Sequence, residues 1–176
     1  MSQLSRLLNV SALLLAGLLL ATSMPAVAAS DAEKFVQMTR ELEADPFGEG
    51  QQAKRNWMLY WANGSGEVSL LVCDIFRPIQ TKAGEHAGML VTQTLFGNAA
   101  FQVENPKQKD DVLATQHAGL ASSLAVYAKL IEQKPEARFD YFDELLAAKR
   151  LGTLKDSVAG LIEGKCDLPK DDDDEK

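Results

Sequence analysis

Two cysteines and two histidines carry most of the reactive chemistry in this sequence of 176 residues. Cys73 stands inside the apolar run SLLVCDIFRP, and Cys166 lies 93 positions later in EGKCDLPK. A zinc site commonly takes two of its ligands from close positions in sequence, and this spacing offers no such pair. No C-x-x-C redox motif is present either. In an oxidising compartment an even pair of cysteines forms one disulfide, so we predict a Cys73–Cys166 bond that ties the last helix to the core.

The two histidines are the candidate general bases or metal ligands. His117 falls on the apolar seam of a long predicted helix, and no carboxylate or cysteine shares its face within one turn. This favours a hydrogen-bonded core histidine over a ligand or a base. His86 directly follows Glu85, and sequence neighbours do not face each other on a helix, so we predict that His86 is a solvated surface residue.

Three aromatic residues, Trp57, Tyr60 and Trp61, fall on one face of a predicted helix. Such a group can form a binding platform for an apolar ligand or a sugar. Aromatic stripes at helical spacing more often belong to a core. The core interpretation is favoured, and the ligand-binding one is kept as the alternative.

The familiar short motifs of catalysis and cofactor binding are absent from the sequence. Ser122 and Ser123 lack the G-x-S-x-G elbow of a nucleophilic serine, and the NGSGE segment at 63–67 lacks the lysine of a phosphate-binding loop. The DDDDE run near the C-terminus lacks the ligand spacing of a calcium loop. We therefore predict no metal site and no cofactor.

The first residues have the order of a secretory signal peptide. A single positive charge at Arg6 is followed by an apolar block over residues 10–20 and by small residues that end at Ala28. Cleavage after Ala28 or after Ala29 fits this pattern. The short Leu/Ala-rich segment is typical of bacterial signals, so residues 1–28 predict a periplasmic or secreted protein without a membrane anchor after cleavage.

Charge and length limit the partners and the number of domains. The chain has 18 basic and 25 acidic residues, and the predicted signal contains one of the former and none of the latter. Nucleic acid and anionic membrane surfaces are poor partners for so acidic a protein. Residues 29–168 have the size of a single domain. Residues 169–176, PKDDDDEK, have nothing to bury and are predicted to form a disordered acidic tail.

Helical periodicity dominates the rest of the chain and defines the elements that must position these residues. The predicted helices cover about 30–44, 53–61, 68–76, 85–103, 109–134, 139–150 and 154–163. The third is ambiguous between helix and strand, and its apolar spacing together with the lack of a partner strand favours a helix. The fold class is therefore all-α, a compact bundle of six or seven helices with antiparallel neighbours.

The longest predicted helix carries a heptad seam. Its seam residues are Leu113, His117, Leu120, Leu124, Tyr127 and Ile131. Ala114, Ala121 and Ala128 lie beside the seam and predict the close approach of a neighbouring helix.

Because no catalytic constellation can be assembled from these residues, we expect a binding or accessory protein whose partner is another protein of the cell envelope. A carrier of a small apolar ligand in a cavity between helices is the alternative. An enzyme that uses His117 or His86 with a distant carboxylate ranks third. The oligomeric state does not follow from the sequence.

Overall fold

The computed structural model describes residues 29–163 and 165–166, and all regular secondary structure in this part of the chain is helical. Seven α-helices follow one another: α1 (Asp31–Ala44), α2 (Gln51–Gly64), α3 (Arg77–Lys82), α4 (Ala87–Glu104), α5 (Val112–Gln133), α6 (Asp140–Leu151) and α7 (Leu154–Ile162). Short 3₁₀ turns precede α3, α4, α5 and α6. The all-α prediction is confirmed. The predicted signal peptide and the predicted acidic tail lie outside the described residues.

Helix α1 begins at a capping box formed by Ser30 and Glu33. The Glu33 N–H donates to Ser30 Oγ at 3.2 Å, and the Ser30 N–H donates to Glu33 Oε2 at 2.8 Å. Both groups satisfy backbone N–H donors that a helix start leaves unpaired. The helix ends at Ala44, immediately before Asp45 and Pro46, as predicted.

Helices α4 and α5 form the centre of the bundle, and their contact is the most extensive between any two elements. Ser123 Oγ of α5 donates to the Leu90 carbonyl near the start of α4 at 2.8 Å, whereas Asn98 lies beside Gly119 nearer the other end. The two helices therefore run antiparallel. Helix α4 is apolar on most sides because it packs against two separate clusters of buried apolar residues. One cluster contains Leu90, and the other contains Phe96.

The two core clusters divide the bundle. The larger one joins α5 to α3, α6 and α7, and the smaller one joins α1 and α2 to the second half of α4. In the smaller cluster the Phe35 ring lies 4.7 Å from the Trp61 ring and 5.7 Å from the Phe96 ring, measured between centroids. Aromatic contacts thus fasten α1 and α2 onto the central pair.

The predicted third helix over 68–76 is wrong. Residues 68–73 form an irregular extended segment, which we call the strap, and a 3₁₀ turn over Asp74–Phe76 leads into α3. The helical spacing of the apolar residues misleads because they serve two different clusters. Val68 packs against the smaller cluster and Leu71 against the larger one. An extended chain reaches both, and Pro78 fits the first turn of the helix that follows.

The predicted heptad seam of α5 is fully buried only in the second half of the helix. Leu120, Leu124 and Tyr127 are fully buried, whereas Leu113 and His117 are half-buried. At the start of α5 the buried residues are Thr115, Gln116 and Gly119, with Ser122 and Ser123 farther along. The first half of the helix therefore buries a polar face, which an apolar pattern cannot identify. Helices α4 and α5 approach each other closely at Gly97 and Gly119.

Helices α6 and α7 complete the larger cluster. Tyr127 of α5 positions the start of α6, because its hydroxyl accepts from the Phe139 N–H at 3.0 Å and donates to Asp143 Oδ1 at 2.9 Å. Gly152 follows α6 with a φ of 77°, the left-handed conformation that glycine adopts readily at a helix end. Leu154 and Val158 bury α7 against the cluster. Within the described part of the chain, no helix has both the length and the apolar character needed to cross a membrane.

Candidate functional site

Cys73 and Cys166 lie at disulfide distance with their Cα atoms 5.0 Å apart, which agrees with the predicted pairing. Both are buried, with 4% and 9% of their surface exposed. The Asp74 N–H also donates to the Lys165 carbonyl at 3.3 Å, so backbone contact accompanies the pair. The pair joins the end of the strap to the segment after α7, and no cysteine of the chain is left as a free thiol.

His117 is not the hydrogen-bonded core residue that the seam predicted. Its side chain is half-buried and forms no hydrogen bond with any residue that the structure describes. Burial and the positive charges of Lys155 and Lys149 lower the pKa of His117. The difference arises because α5 turns Gln116, which is fully buried, toward the protein interior in its place.

His86 is also placed differently from the prediction. Only 16% of its side chain is exposed, and its Nε2 atom lies 3.4 Å from Glu85 Oε1. The two neighbours meet because residues 84–86 form a 3₁₀ turn before α4 and not a regular α-helical surface. Glu85 Oε1 also accepts from Lys134 Nζ at 3.3 Å, which connects this turn to the end of α5.

The three aromatic residues of α2 do not form one surface. Trp61 belongs to the core, Trp57 is half-buried, and Tyr60 is 82% exposed. The Trp57 and Trp61 rings stack with centroids 6.5 Å apart, and Lys34 Nζ lies 4.2 Å from the centroid of Trp57. The indoles therefore connect α1 and α2, and Tyr60 points away from them into solvent.

Buried amides hold the strap, and sequence reasoning missed them. Gln102 of α4 donates from Nε2 to the Ser69 carbonyl at 2.7 Å and accepts from the Ser69 N–H at 2.9 Å. Gln116 of α5 donates to the Leu71 carbonyl at 3.2 Å. These bonds replace the backbone partners that an extended segment outside a sheet lacks. The available signal in the sequence is the presence of glutamines among the apolar residues of α4 and α5.

A small cavity lies beneath the strap. It has a volume of about 70 Å³, and Ser69, Leu71, Asn98 and Gln102 are among its lining residues. Lys109 and Asp110, both exposed, stand on the connection between α4 and α5 and also line it. We call this space the strap cavity. Its polar lining comes from two helices and two loops that only the fold brings together.

A larger concave surface runs between α3 and the start of α6. Its central section has a volume of about 540 Å³, and its lining includes Pro78, Lys82, Arg138, Phe139, Tyr141 and Glu144. A cleft of about 190 Å³ shares Tyr141 and Glu144 with it, and a cleft of about 230 Å³ shares Lys82 and Arg138. The three sections are therefore continuous. We call the whole surface the α6 groove, and His86 and Lys82 both line its cleft of about 230 Å³.

The floor of the α6 groove is held rigidly. The Tyr141 hydroxyl donates to the Ile75 carbonyl at 3.0 Å, and burial raises the pKa of Tyr141 to about 12, so the hydroxyl keeps its proton at neutral pH. The Phe139 ring stacks on Phe142 with centroids 5.0 Å apart. Both aromatic side chains are thus fixed before any partner binds.

The described residues contain no group of three or more His, Cys, Asp or Glu side chains that could hold a metal ion. Comparisons of the chain with protein-family models, with curated proteins and with solved structures found no match. The function must therefore be inferred from the geometry of the surfaces described above.

Proposed function

We propose that this is an exported helical binding protein that holds a peptide segment of an envelope protein in the α6 groove. The observation that carries the proposal is the continuity of the groove, whose central section of about 540 Å³ shares two lining residues with the cleft on each side. A long open groove of this kind suits an extended segment of a partner better than a compact small molecule.

The chemistry of the lining supports a protein partner. Tyr141 and the edge of the largely buried Phe139 contribute aromatic atoms to the lining, and charged residues of both signs, such as Lys82 and Glu144, also line the groove. An apolar centre with a polar rim is typical of protein interfaces, in which aromatic residues often dominate the affinity. Since the aromatic rings are already fixed, binding costs little conformational entropy on this side.

Two features support export to the periplasm or beyond. Residues 1–28 have the pattern of a signal peptide. The two cysteines of the chain lie at disulfide distance, and disulfides persist in oxidising compartments. A partner that shares the compartment would be another protein of the envelope.

The test is a tagged pull-down from envelope extract under non-reducing conditions, with bound proteins identified by mass spectrometry. The groove variant combines Lys82→Glu with Glu144→Lys, two exposed positions that line the groove. The matched control combines Lys107→Glu with Glu67→Lys, two exposed positions elsewhere on the surface. Lys82 precedes α4 and Lys107 follows it, so the length of that helix, about 27 Å, separates their positions along the bundle.

We expect one stoichiometric partner on the wild-type protein and on the control, and its loss from the groove variant. Equal capture by the groove variant would contradict the assignment to the α6 groove. Failure to capture any protein with the wild type would contradict the binding function itself. Both variants keep the net charge of the chain, so a general electrostatic effect is excluded.

A further inference from the structure

The hydrogen-bond network of the strap fixes the orientation of a buried asparagine. Gln102 contacts both the N–H and the carbonyl of Ser69, so its Oε1 and Nε2 atoms can be assigned in only one way. Its Nε2 also donates to Asn98 Oδ1 at 2.6 Å. Asn98 must therefore present Oδ1 to Gln102, and Nδ2 is the atom left over.

This Nδ2 atom is a hydrogen-bond donor without a partner among the described residues. Asn98 is 1% exposed and lines the strap cavity. A buried donor that stays unpaired is unfavourable, so the site calls for an acceptor oxygen inside the cavity. On the adjoining helix, Gln116 Oε1 is a buried acceptor with no partner in the described chain, while its Nε2 is bound to the cavity-lining Leu71.

The size of the strap cavity restricts what can supply that oxygen. Its volume of about 70 Å³ is several times the 10–15 Å³ or so that one water requires. It is about half of the roughly 150 Å³ of an engineered cavity that binds benzene. The cavity therefore has room for several waters or for a molecule of only a few non-hydrogen atoms.

The rim of the strap cavity carries two opposite charges. Lys109 and Asp110 line the cavity, and neither forms an ion pair with another residue in the described ranges. A carboxylate could accept from Asn98 Nδ2 and meet the Lys109 ammonium group. An ammonium group could meet the Asp110 carboxylate. A simple anion would face repulsion from Asp110, and a simple cation would face repulsion from Lys109.

We infer that the strap cavity binds a small zwitterion of the amino-acid type, of which glycine is the smallest. Asn98 Nδ2 and Lys109 hold the carboxylate, and Asp110 holds the ammonium group. This site is separate from the α6 groove, because its rim follows α4 whereas Lys82 of the groove precedes that helix. Its function does not depend on the protein partner proposed above.

The test uses the ¹⁵N-labelled full chain and NMR titrations with glycine, acetate and methylamine. The side-chain NH₂ signals of Asn98 report directly on the proposed contact. We expect glycine to shift these signals together with the backbone signals of Lys109 and Asp110. Acetate and methylamine should bind at least tenfold more weakly, because each lacks one of the two charged groups.

Three variants test the named residues. Asn98→Asp keeps an acceptor for Gln102 and removes the donor, and Lys109→Gln and Asp110→Asn change exposed rim residues. Each should weaken glycine binding by about tenfold or more, whereas Lys107→Gln should leave it unchanged. If glycine leaves the Asn98 side-chain signals unmoved, the cavity holds only structural water and the proposal fails. If acetate binds as well as glycine, the zwitterion assignment is wrong.

Discussion

Gly97 of α4 lies directly against Ser122 of α5. A Cβ atom added at Gly97 would meet the Ser122 side chain and would lie 2.9 Å from the Ala118 carbonyl oxygen. The same closeness occurs at Gly119, where a Cβ atom would lie 2.6 Å from the Thr94 carbonyl oxygen. The two glycines thus allow the facing helices to approach closely. At this spacing Gln93 Nε2 of α4 donates to Ser122 Oγ of α5 at 2.9 Å.

Gly97→Ala should therefore destabilise the protein, although alanine is the better helix former. Overpacking of a tight contact costs about 1–3 kcal/mol, and here backbone atoms of α5 would have to move. Gly88→Ala in the same helix is the matched control, because an added Cβ there has open space. It should stabilise the fold by about 0.5–1 kcal/mol. Urea unfolding of both variants checks the pair, and equal effects of the two substitutions would disprove the packing argument.

Replacing both cysteines by serine should remove a large share of the stability. The bond closes a loop over 93 positions, for which the chain-entropy model gives about 4–5 kcal/mol. Urea unfolding of Cys73→Ser/Cys166→Ser against the oxidised wild type measures the loss. The wild type in excess reductant is the control and should lose a similar amount. A double variant as stable as the oxidised wild type would show that the two thiols are not bonded.

Gln102→Glu should loosen the strap. A carboxylate can still accept from the Ser69 N–H, but it cannot donate to the Ser69 carbonyl or to Asn98 Oδ1. Leaving these acceptors unpaired costs about 1–3 kcal/mol. Hydrogen exchange at the Ser69 amide should accelerate, whereas Gln108→Glu at an exposed position should leave it unchanged. Unchanged protection in Gln102→Glu would show that the strap is held by other contacts.

Much of the helical framework follows from local sequence signals. The Ser30 capping box, the end of α1 before Pro46 and the glycine after α6 are each set by residues within one turn. Such signals act on the backbone nearby, so they can be identified without knowledge of the tertiary contacts. The pairing of the two cysteines could be predicted because the chain has no third one.

The strap and its cavity could not be predicted in the same way. The apolar spacing of residues 68–76 is helical, yet the two core clusters divide these residues and draw the chain into an extended form. Its backbone partners, Gln102 and Gln116, are 33 and 45 positions away from the groups that they bind. At such a separation along the chain, the packing of the helices decides which glutamine contacts the strap.

His117 should make the stability of the protein depend on pH. Burial and the charges of Lys155 and Lys149 lower its pKa in the folded state below the ordinary value of 6.5. Below about pH 6.5 the unfolded chain therefore binds more protons at this residue than the folded one does. Stability should fall as the pH drops from 6.5 to the folded-state pKa of His117, and this contribution should be constant above and below that window.

Urea unfolding across this window should show a smaller slope of stability against pH in His117→Gln than in the wild type. NMR titration of the imidazole then tests the cause. Lys155→Gln should raise the pKa of His117, because it removes one of the two positive charges named above. Lys82→Gln should not, because Lys82 stands on α3 and is not among the charges that act on His117. An imidazole that titrates at or above 6.5 in the folded wild type would refute the argument, since the unfolded chain would then have no excess of bound protons.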